Sequence, residues 1–187
     1  MLRVLLVRHA EPVLPGTPGF DEFSCPLNES GARDASELAR AFQYLELAAV
    51  YSSPMRRALQ TVEGLAVSRG LLVQAVDDFH EHALSLEPIP NWREVLEQSW
   101  TDFDFALPGG ETMRSTQTRG FSALEKLTRL HSSGTIVIGG HGTIFSLILN
   151  RIETGVDCAF HLAMPMPAVY TLEFDDAGWK IVSGSGL

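Results

Sequence analysis

Met1-Leu2-Arg3-Val4-Leu5-Leu6-Val7-Arg8-His9 opens the chain as an apolar run that only Arg3 interrupts, closed by a guanidinium and an imidazole. A short continuous run of this kind reads as a strand buried on both faces, as in parallel sheets. Ligands of open α/β sheets bind at the carboxyl ends of such strands. Arg8 and His9 therefore stand where a strand leaves the core and meets a ligand edge.

Outward from that pair, residues 11–26 form a loop rich in Pro and Gly, and loops of this length are usually functional or mobile. Asn28 is expected to cap a helix whose buried stripe is Ala32, Ala35, Leu38, Ala39, Phe42 and Leu45. Residues 48–52 read as a second strand. Ser53-Pro54 is a helix start, with Ser53 as N-cap and Pro54 in the first helical position. Met55, Ala58, Leu59, Val62, Leu65 and Ala66 give that helix its core face, and Gly70 ends it. Residues 71–76 are expected as a third strand. Residues 77–110 are irregular, with one short helix at 91–99. A long helix at 111–131, a strand at 135–139 and an apolar helix at 143–149 follow. Residues 168–174 and 179–182 pair around a turn at 175–178. The apolar stretch 159–166 reads as a core strand or as the face of a homodimer. The alternation predicts an α/β fold, a three-layer α/β/α sandwich with a mostly parallel sheet and helices on both faces. A length of 187 residues suits a single domain, 1–187, in which 82–108 is an inserted, lid-like segment.

A net charge of −9 argues against a general nucleic-acid surface or an anionic-membrane binder, and it makes any local group of arginines more informative. Cys25 and Cys158 have no metal-like spacing and read as free thiols of a reducing compartment. The opening run is short for a signal segment and no stretch has membrane-span length, so the expected location is cytoplasmic. His80-Glu81-His82 is the densest patch of ligand types, but adjacent positions of an extended segment point apart. Only His80 and His82 could converge, no third ligand is identifiable, and no metal is expected. There is neither a P-loop nor GxGxxG after the first strand.

If the strands are parallel, three of their ends share one rim: Arg8-His9, Ser52-Ser53 and Gly139-Gly140-His141-Gly142. Arg57 follows Pro54 by three residues, and helical side chains lean toward the N-terminus, so Arg57 can reach over that rim. Arg56 and Arg57 sit at the positive end of a helix dipole, which disfavours each by a few tenths to about 1 kcal/mol. A bound anion would remove the conflict. Two histidines, arginines and helix N-termini are the parts of a phosphate site.

The ordered pieces Leu6-Val7-Arg8-His9-Ala10-Glu11, Pro26-Leu27-Asn28-Glu29-Ser30-Gly31, Tyr51-Ser52-Ser53-Pro54-Met55-Arg56-Arg57-Ala58, Phe79-His80-Glu81, Pro108-Gly109-Gly110-Glu111-Thr112 and Gly140-His141-Gly142 span most of the chain. As a set the chain resembles the histidine phosphatase superfamily, phosphoglycerate mutase-like branch. The resemblance implies a metal-independent phosphatase that hydrolyses a phosphomonoester through a phosphohistidine on His9, with no cofactor. Arg8, Arg57 and His141, with Gly142, would hold the phosphoryl oxygens, and Glu81 would act as general acid and base. Asn28, Arg56, Trp92 and Arg93 are further substrate-binding candidates, and the partner would be a small phosphorylated metabolite. Gly109-Gly110-Glu111 reads as structural, Arg114 and Arg119 as a solvated helix face, and His131 and His161 carry no role. Pro12-Val13-Leu14-Pro15 stands where many members carry an Asn, so substrate identity does not transfer.

Between Glu81 and Gly109 the only arginine is Arg93, and there is no lysine. A mutase needs extra basic groups for a second phosphate, so phosphatase is preferred. Mutase-type phosphoryl transfer, action on protein phosphohistidine and a non-catalytic phosphate-binding module remain the alternatives. Trp92, Trp100, Phe103 and Phe105 either cover the pocket and favour an apolar or aromatic substrate, or form a satellite core.

Overall fold

A computed structural model describes residues 1–16, 20–85 and 87–184. The opening run is strand β1 (Leu2–Arg8). Then come helix α1 (Glu29–Ala41), β2 (Ala49–Ser52), α2 (Arg56–Val67), β3 (Val73–Ala75), a single 3-10 turn (Asp77–Phe79), α3 (Trp92–Thr101) and α4 (Met113–Leu130). The chain continues through β4 (Gly134–Gly140), α5 (Gly142–Ile152), the short α6 (Cys158–Ala163), β5 (Ala168–Asp175) and β6 (Gly178–Ser183). The strands form one sheet in the order β3-β2-β4-β1-β5-β6. β3, β2, β4 and β1 run parallel, whereas β5 and β6 close the far edge antiparallel. Among the described residues no helix is long and apolar enough to cross a membrane.

The run that fixes this fold is split between two cores, because successive strand side chains point to opposite faces. Leu2, Val4 and Leu6 pack with Leu124 and Leu127 of α4 and Ile144, Phe145 and Ile148 of α5. Leu5 and Val7 pack on the other face with Val62, Leu65 and Ala66 of α2, and Leu38 of α1 lies against that cluster. Burying both faces of a central strand requires helices on both sides, so the expected three-layer α/β/α sandwich follows.

Several boundaries differ from the expectation. α2 begins at Arg56, not at Pro54, with Met55 in the N-cap position. Ser53 stays with the sheet, its N–H donating to Gly139 O at 2.8 Å, while its hydroxyl accepts from Met55 N at 3.2 Å. The third strand is only Val73–Ala75, since Leu71 N–H closes the end of α2 on Ala66 O and Leu72 is exposed. α4 starts after Thr112, whose hydroxyl accepts from Ser115 N, which leaves Glu111 outside the helix. The stretch 159–166 is not a core strand; most of it is α6, capped by the Asp157 carboxylate. Cys25 and Cys158 are free thiols.

Candidate active site

The sheet brings the expected strand ends together. His9 leaves β1 beside Gly140, its N–H donating to Gly140 O at 2.9 Å, and its ring lies edge-on to that of His141 with centroids 5.3 Å apart. His9 Nδ1 lies 2.7 Å from Ala10 O, which can only accept, so the ring proton is on Nδ1. Nε2 is then a bare lone pair, and Arg57 Nε donates to it at 3.2 Å. Burial pushes the His9 pKa down to about 4; the Ala10 carbonyl works against this, and the Arg57 and Arg8 guanidinium groups add to it. The imidazole is therefore neutral at pH 7.

His141 is fully buried at the N-cap of α5 and is likewise held neutral, chiefly by burial. The Ser53 hydroxyl, already accepting from Met55 N, has its proton free for His141 Nε2 at 2.7 Å. That tautomer puts the ring N–H on Nδ1, which is buried and has no partner among the described residues. Arg8 Nη1 donates to Met164 O, and at 3.4 Å to Pro165 O, just past α6. Arg8 Nε is buried and without a partner among the described residues. The guanidinium lies against Gly142, where a Cβ would approach Arg8 Cζ to 3.1 Å, so any larger residue would have to push it aside.

Arg57 is buried, yet its fork faces the loop before α1. Nη1 donates to Glu22 O and Nη2 to Glu22 Oε1, both at 2.6 Å. Arg56 points away and is exposed; only its backbone takes part, donating to Phe23 O at 3.1 Å and tying down the same loop.

The Glu81 carboxylate is seated on the N-terminus of α5. It accepts from Thr143 N and Ile144 N, each at 3.1 Å, and from His82 N at 2.8 Å. Burial opposes its charge, but the backbone N–H groups of His82 and, at the start of α5, Thr143 favour it, and its pKa lies below the ordinary carboxylate value.

A cavity of about 820 Å³ adjoins this cluster, and Glu22, Met55 and Glu81 form part of its wall. The aromatic segment divides. Trp92 lines the cavity, whereas Trp100 and Phe103 pack on Leu96, Met113 and Leu147. The other three substrate-binding candidates, Asn28, Arg56 and Arg93, are not among its lining residues. Asn28 caps α1, its Oδ1 accepting from Gly31 N at 2.8 Å, and Arg93 pairs outward with Glu97 at 3.2 Å.

Sequence reasoning gave two groups that organise the site another role and missed a third. Ser53 holds His141. Glu22 occupies Arg57; nothing in the irregular loop pointed to it. Arg119 is not on a solvated face: its guanidinium grips Glu111 through both carboxylate oxygens at 3.0 and 2.8 Å and donates to the carbonyls of Asp78, His80 and Glu81. Glu111 in turn accepts from Ala83 N at 3.1 Å. The Gly-Gly-Glu segment and α4 thus brace the strip that carries Glu81. Arg114 is solvated, as expected, and pairs with Asp104 at 2.6 Å. His131 bonds the Tyr51 hydroxyl at 2.8 Å, and His161 lies 3.2 Å from Ser146 Oγ. Among the described residues no three metal-type ligands form a group that could hold an ion; His80 Nδ1 bonds Asp77 O and His82 Nδ1 the Thr116 hydroxyl, while the two rings lie 3.8 and 4.0 Å from Glu111 Oε2.

The family model of the histidine phosphatase superfamily (branch 1) matches residues 4–185. The chain belongs to that superfamily. Phosphoserine phosphatase 1 of Hydrogenobacter thermophilus is 28% identical over 75% of this chain and 71% of its own length. The uncharacterised phosphatase PhoE of Bacillus subtilis is 25% identical over 97% of this chain and 93% of its own. The native structure of a mycobacterial glucosyl-3-phosphoglycerate phosphatase superposes with a TM-score of 0.77 at 18% identity, covering 96% of each chain, which shows a common fold. The histidine phosphatase expected from the ordered motifs is thereby shown, and with it the α/β fold class.

Proposed function

We propose that this histidine phosphatase cleaves a phosphomonoester in two displacements at phosphorus. In the first, the His9 Nε2 lone pair attacks phosphorus, the bond to the leaving oxygen breaks, and Glu81 supplies the proton that oxygen needs. In the second, water attacks the phosphohistidine, Glu81 takes its proton, and the P–N bond breaks to release inorganic phosphate. Arg57, Arg8 and His141 with Gly142 hold the three equatorial oxygens and stabilise the charge they carry in transfer.

The observation that carries this reading is the state of the donors around His9. The nucleophilic nitrogen is deprotonated by its tautomer, and two buried donors near it, Arg8 Nε and His141 Nδ1, have no partner among the described residues. Unsatisfied buried donors are costly unless something is meant to fill them. Arg57 gives independent support, since its fork already holds an oxyanion, the Glu22 carboxylate. A phosphoryl group takes that place only by displacing Glu22.

Glu81 is ionised in the free enzyme, so it must take up a proton from water as the substrate binds. A phosphoryl dianion placed beside it raises its proton affinity, and loss of the leaving group restores the carboxylate that activates water. Labelling tests the scheme directly. Rapid mixing with a radiolabelled phosphomonoester and quenching in alkaline detergent, which preserves phosphohistidine, should trap label on the wild type and none on His9→Ala. An unlabelled wild type under turnover would refute the covalent path.

The same reading takes 1–187 as one domain with 82–108 as its lid-like insert, and the substrate as a small phosphorylated metabolite. Trp92 on the cavity wall supports the insert's role, and the outward Arg93 supports phosphatase over mutase.

A further inference from the structure

The cavity outside the phosphate cradle has an unusual charge pattern for an enzyme that binds an anion. Its wall includes the acidic residues Asp21, Glu22, Asp77 and Glu87 and the imidazole residues His80 and His82 but, among the described residues, neither lysine nor arginine. Apolar surface comes between them, with the rings of Phe23 and Trp92 as its largest pieces.

His82 adds an independent polar feature to the same wall. Its side chain is almost fully buried. The Thr116 hydroxyl donates to Glu111 Oε2 at 3.2 Å, so at 2.8 Å it accepts from His82 Nδ1–H. His82 Nε2 is therefore an acceptor, buried and without a partner among the described residues. Burial also keeps this ring neutral. Everything polar that these groups offer a ligand is negative or an acceptor.

Resting on the reading above, we propose that the leaving alcohol of the substrate carries a protonated amine on an aromatic or apolar body and has no second anionic group. Binding then exchanges both ends of one ion pair. The phosphoryl group replaces Glu22 on Arg57, and the ammonium replaces Arg57 as the partner of the released Glu22 carboxylate. His82 Nε2 accepts an ammonium N–H, while Phe23 and Trp92 supply faces for the ring and for the cation. A carboxylate or second phosphate on the leaving group would meet like charges with neither lysine nor arginine among the described wall residues to answer them, which selects against it.

A matched series of aryl phosphates tests this, because the ring and the leaving oxygen stay the same. Tyramine O-phosphate carries the cation, para-ethylphenyl phosphate is neutral, and para-(carboxyethyl)phenyl phosphate carries an anion. The expected order of kcat/KM is cation, neutral, anion, with a span of about tenfold or more between the ends. Glu87→Gln should narrow the ratio of cationic to neutral substrate, a ratio that a general loss of activity would leave unchanged. Equal kcat/KM across the series, or a preference for the carboxylate, overturns the inference while phosphohistidine on His9 leaves the phosphatase reading standing. If none of the three esters labels His9 or is hydrolysed, the phosphatase reading fails and the inference with it.

Discussion

His9 and His141 meet ring to ring on a strand end and a helix start that the sheet holds fixed, whereas Glu22 and Trp92, across Glu81, sit on loop and helix start with 62% and 53% of their surface open to water. The inner group has every orientation set by a backbone carbonyl, a hydroxyl or a helix terminus. The outer group is set by contacts that water can replace. The difference separates two tasks: phosphoryl transfer needs groups placed within fractions of an ångström, while choice of leaving group needs only a matching surface. Variants should therefore fall into two classes, with large losses inside Glu81 and shifts of preference outside it.

The largest effect should come from the nucleophile. His9→Ala should lower turnover by roughly 10⁴-fold or more, the scale on which removing an attacking group acts. A loss below tenfold would mean that water attacks phosphorus directly and the inner group is only a binding site. The same residue gives a pH prediction. With a pKa held at about 4, against about 6.5 for an ordinary histidine, His9 stays neutral well into mild acid. Label on the wild type should persist at pH 5; a loss centred near 6.5 would contradict the buried tautomer. Linkage runs in the same window. The unfolded chain binds the proton first as pH falls, so His9's contribution to stability is complete above about 6.5 and is lost as pH falls toward 4. In His9→Ala, acid unfolding should flatten across that interval.

Next in size is the brace behind Glu81. Arg119→Ala removes a fork bonded to Glu111 and three carbonyls of the strip that carries Glu81. Both side chains are partly exposed, which softens the loss to about 1–3 kcal/mol of stability. Because the strip loses its position rather than its chemistry, kcat should fall by about tenfold or more with little change in KM. Equal falls in kcat/KM for all substrates would fit this role. An altered order among aryl phosphates would move Arg119 into the outer, selective group.

How much of this could be read from the chain divides along the same line. β1, the cap at Asn28, the helix of α2 and the rim that joins His9, Arg57 and His141 were legible, because each rests on local pattern: apolar alternation, a capping side chain, a residue at a helix start. The three-layer order followed from a buried run that had to be covered on both faces. Ser53 was only half read: its hydroxyl keeps a local bond, accepting from Met55 N, and also donates to His141, a partner 88 positions away. Arg119 looked like one more charged residue on an amphipathic helix, and only the approach of residues 78–83 makes it a brace. Glu22 was invisible, since a loop carries no periodicity and its partner is 35 positions away. Arg93 failed for the opposite reason: as the only arginine of its segment it drew attention, yet α3 turns it outward.

Glu22 comes next in expected size. Its carboxylate competes with phosphate for Arg57, but it is mostly exposed, so the pair is worth about 1 kcal/mol or less. Glu22→Gln should tighten binding of inorganic phosphate by roughly two- to fivefold. Competitive inhibition by phosphate would measure it, and the gain should shrink as salt screens the pair. Weaker phosphate binding in Glu22→Gln would show that the loop holds Arg57 ready rather than blocking it.

The smallest effect belongs to Arg93, and it is the one that tests where the outer region ends. Arg93 pairs with Glu97 one turn along α3, with both side chains more than half exposed. Such pairs contribute about 0.3–0.5 kcal/mol. Trp92, its neighbour in sequence, lines the cavity, and consecutive helical positions lie about 100° apart, so one residue facing the substrate turns the next away. Arg93→Ala should therefore leave kcat/KM within about twofold for cationic, neutral and anionic aryl phosphates alike. Were Arg93 to swing over the cavity during turnover, it would be the one cation able to welcome a carboxylate, and the anionic ester would be the substrate to suffer most from its removal. A selective loss on that ester would extend the outer region to Arg93; parallel values across all three would end it at Trp92.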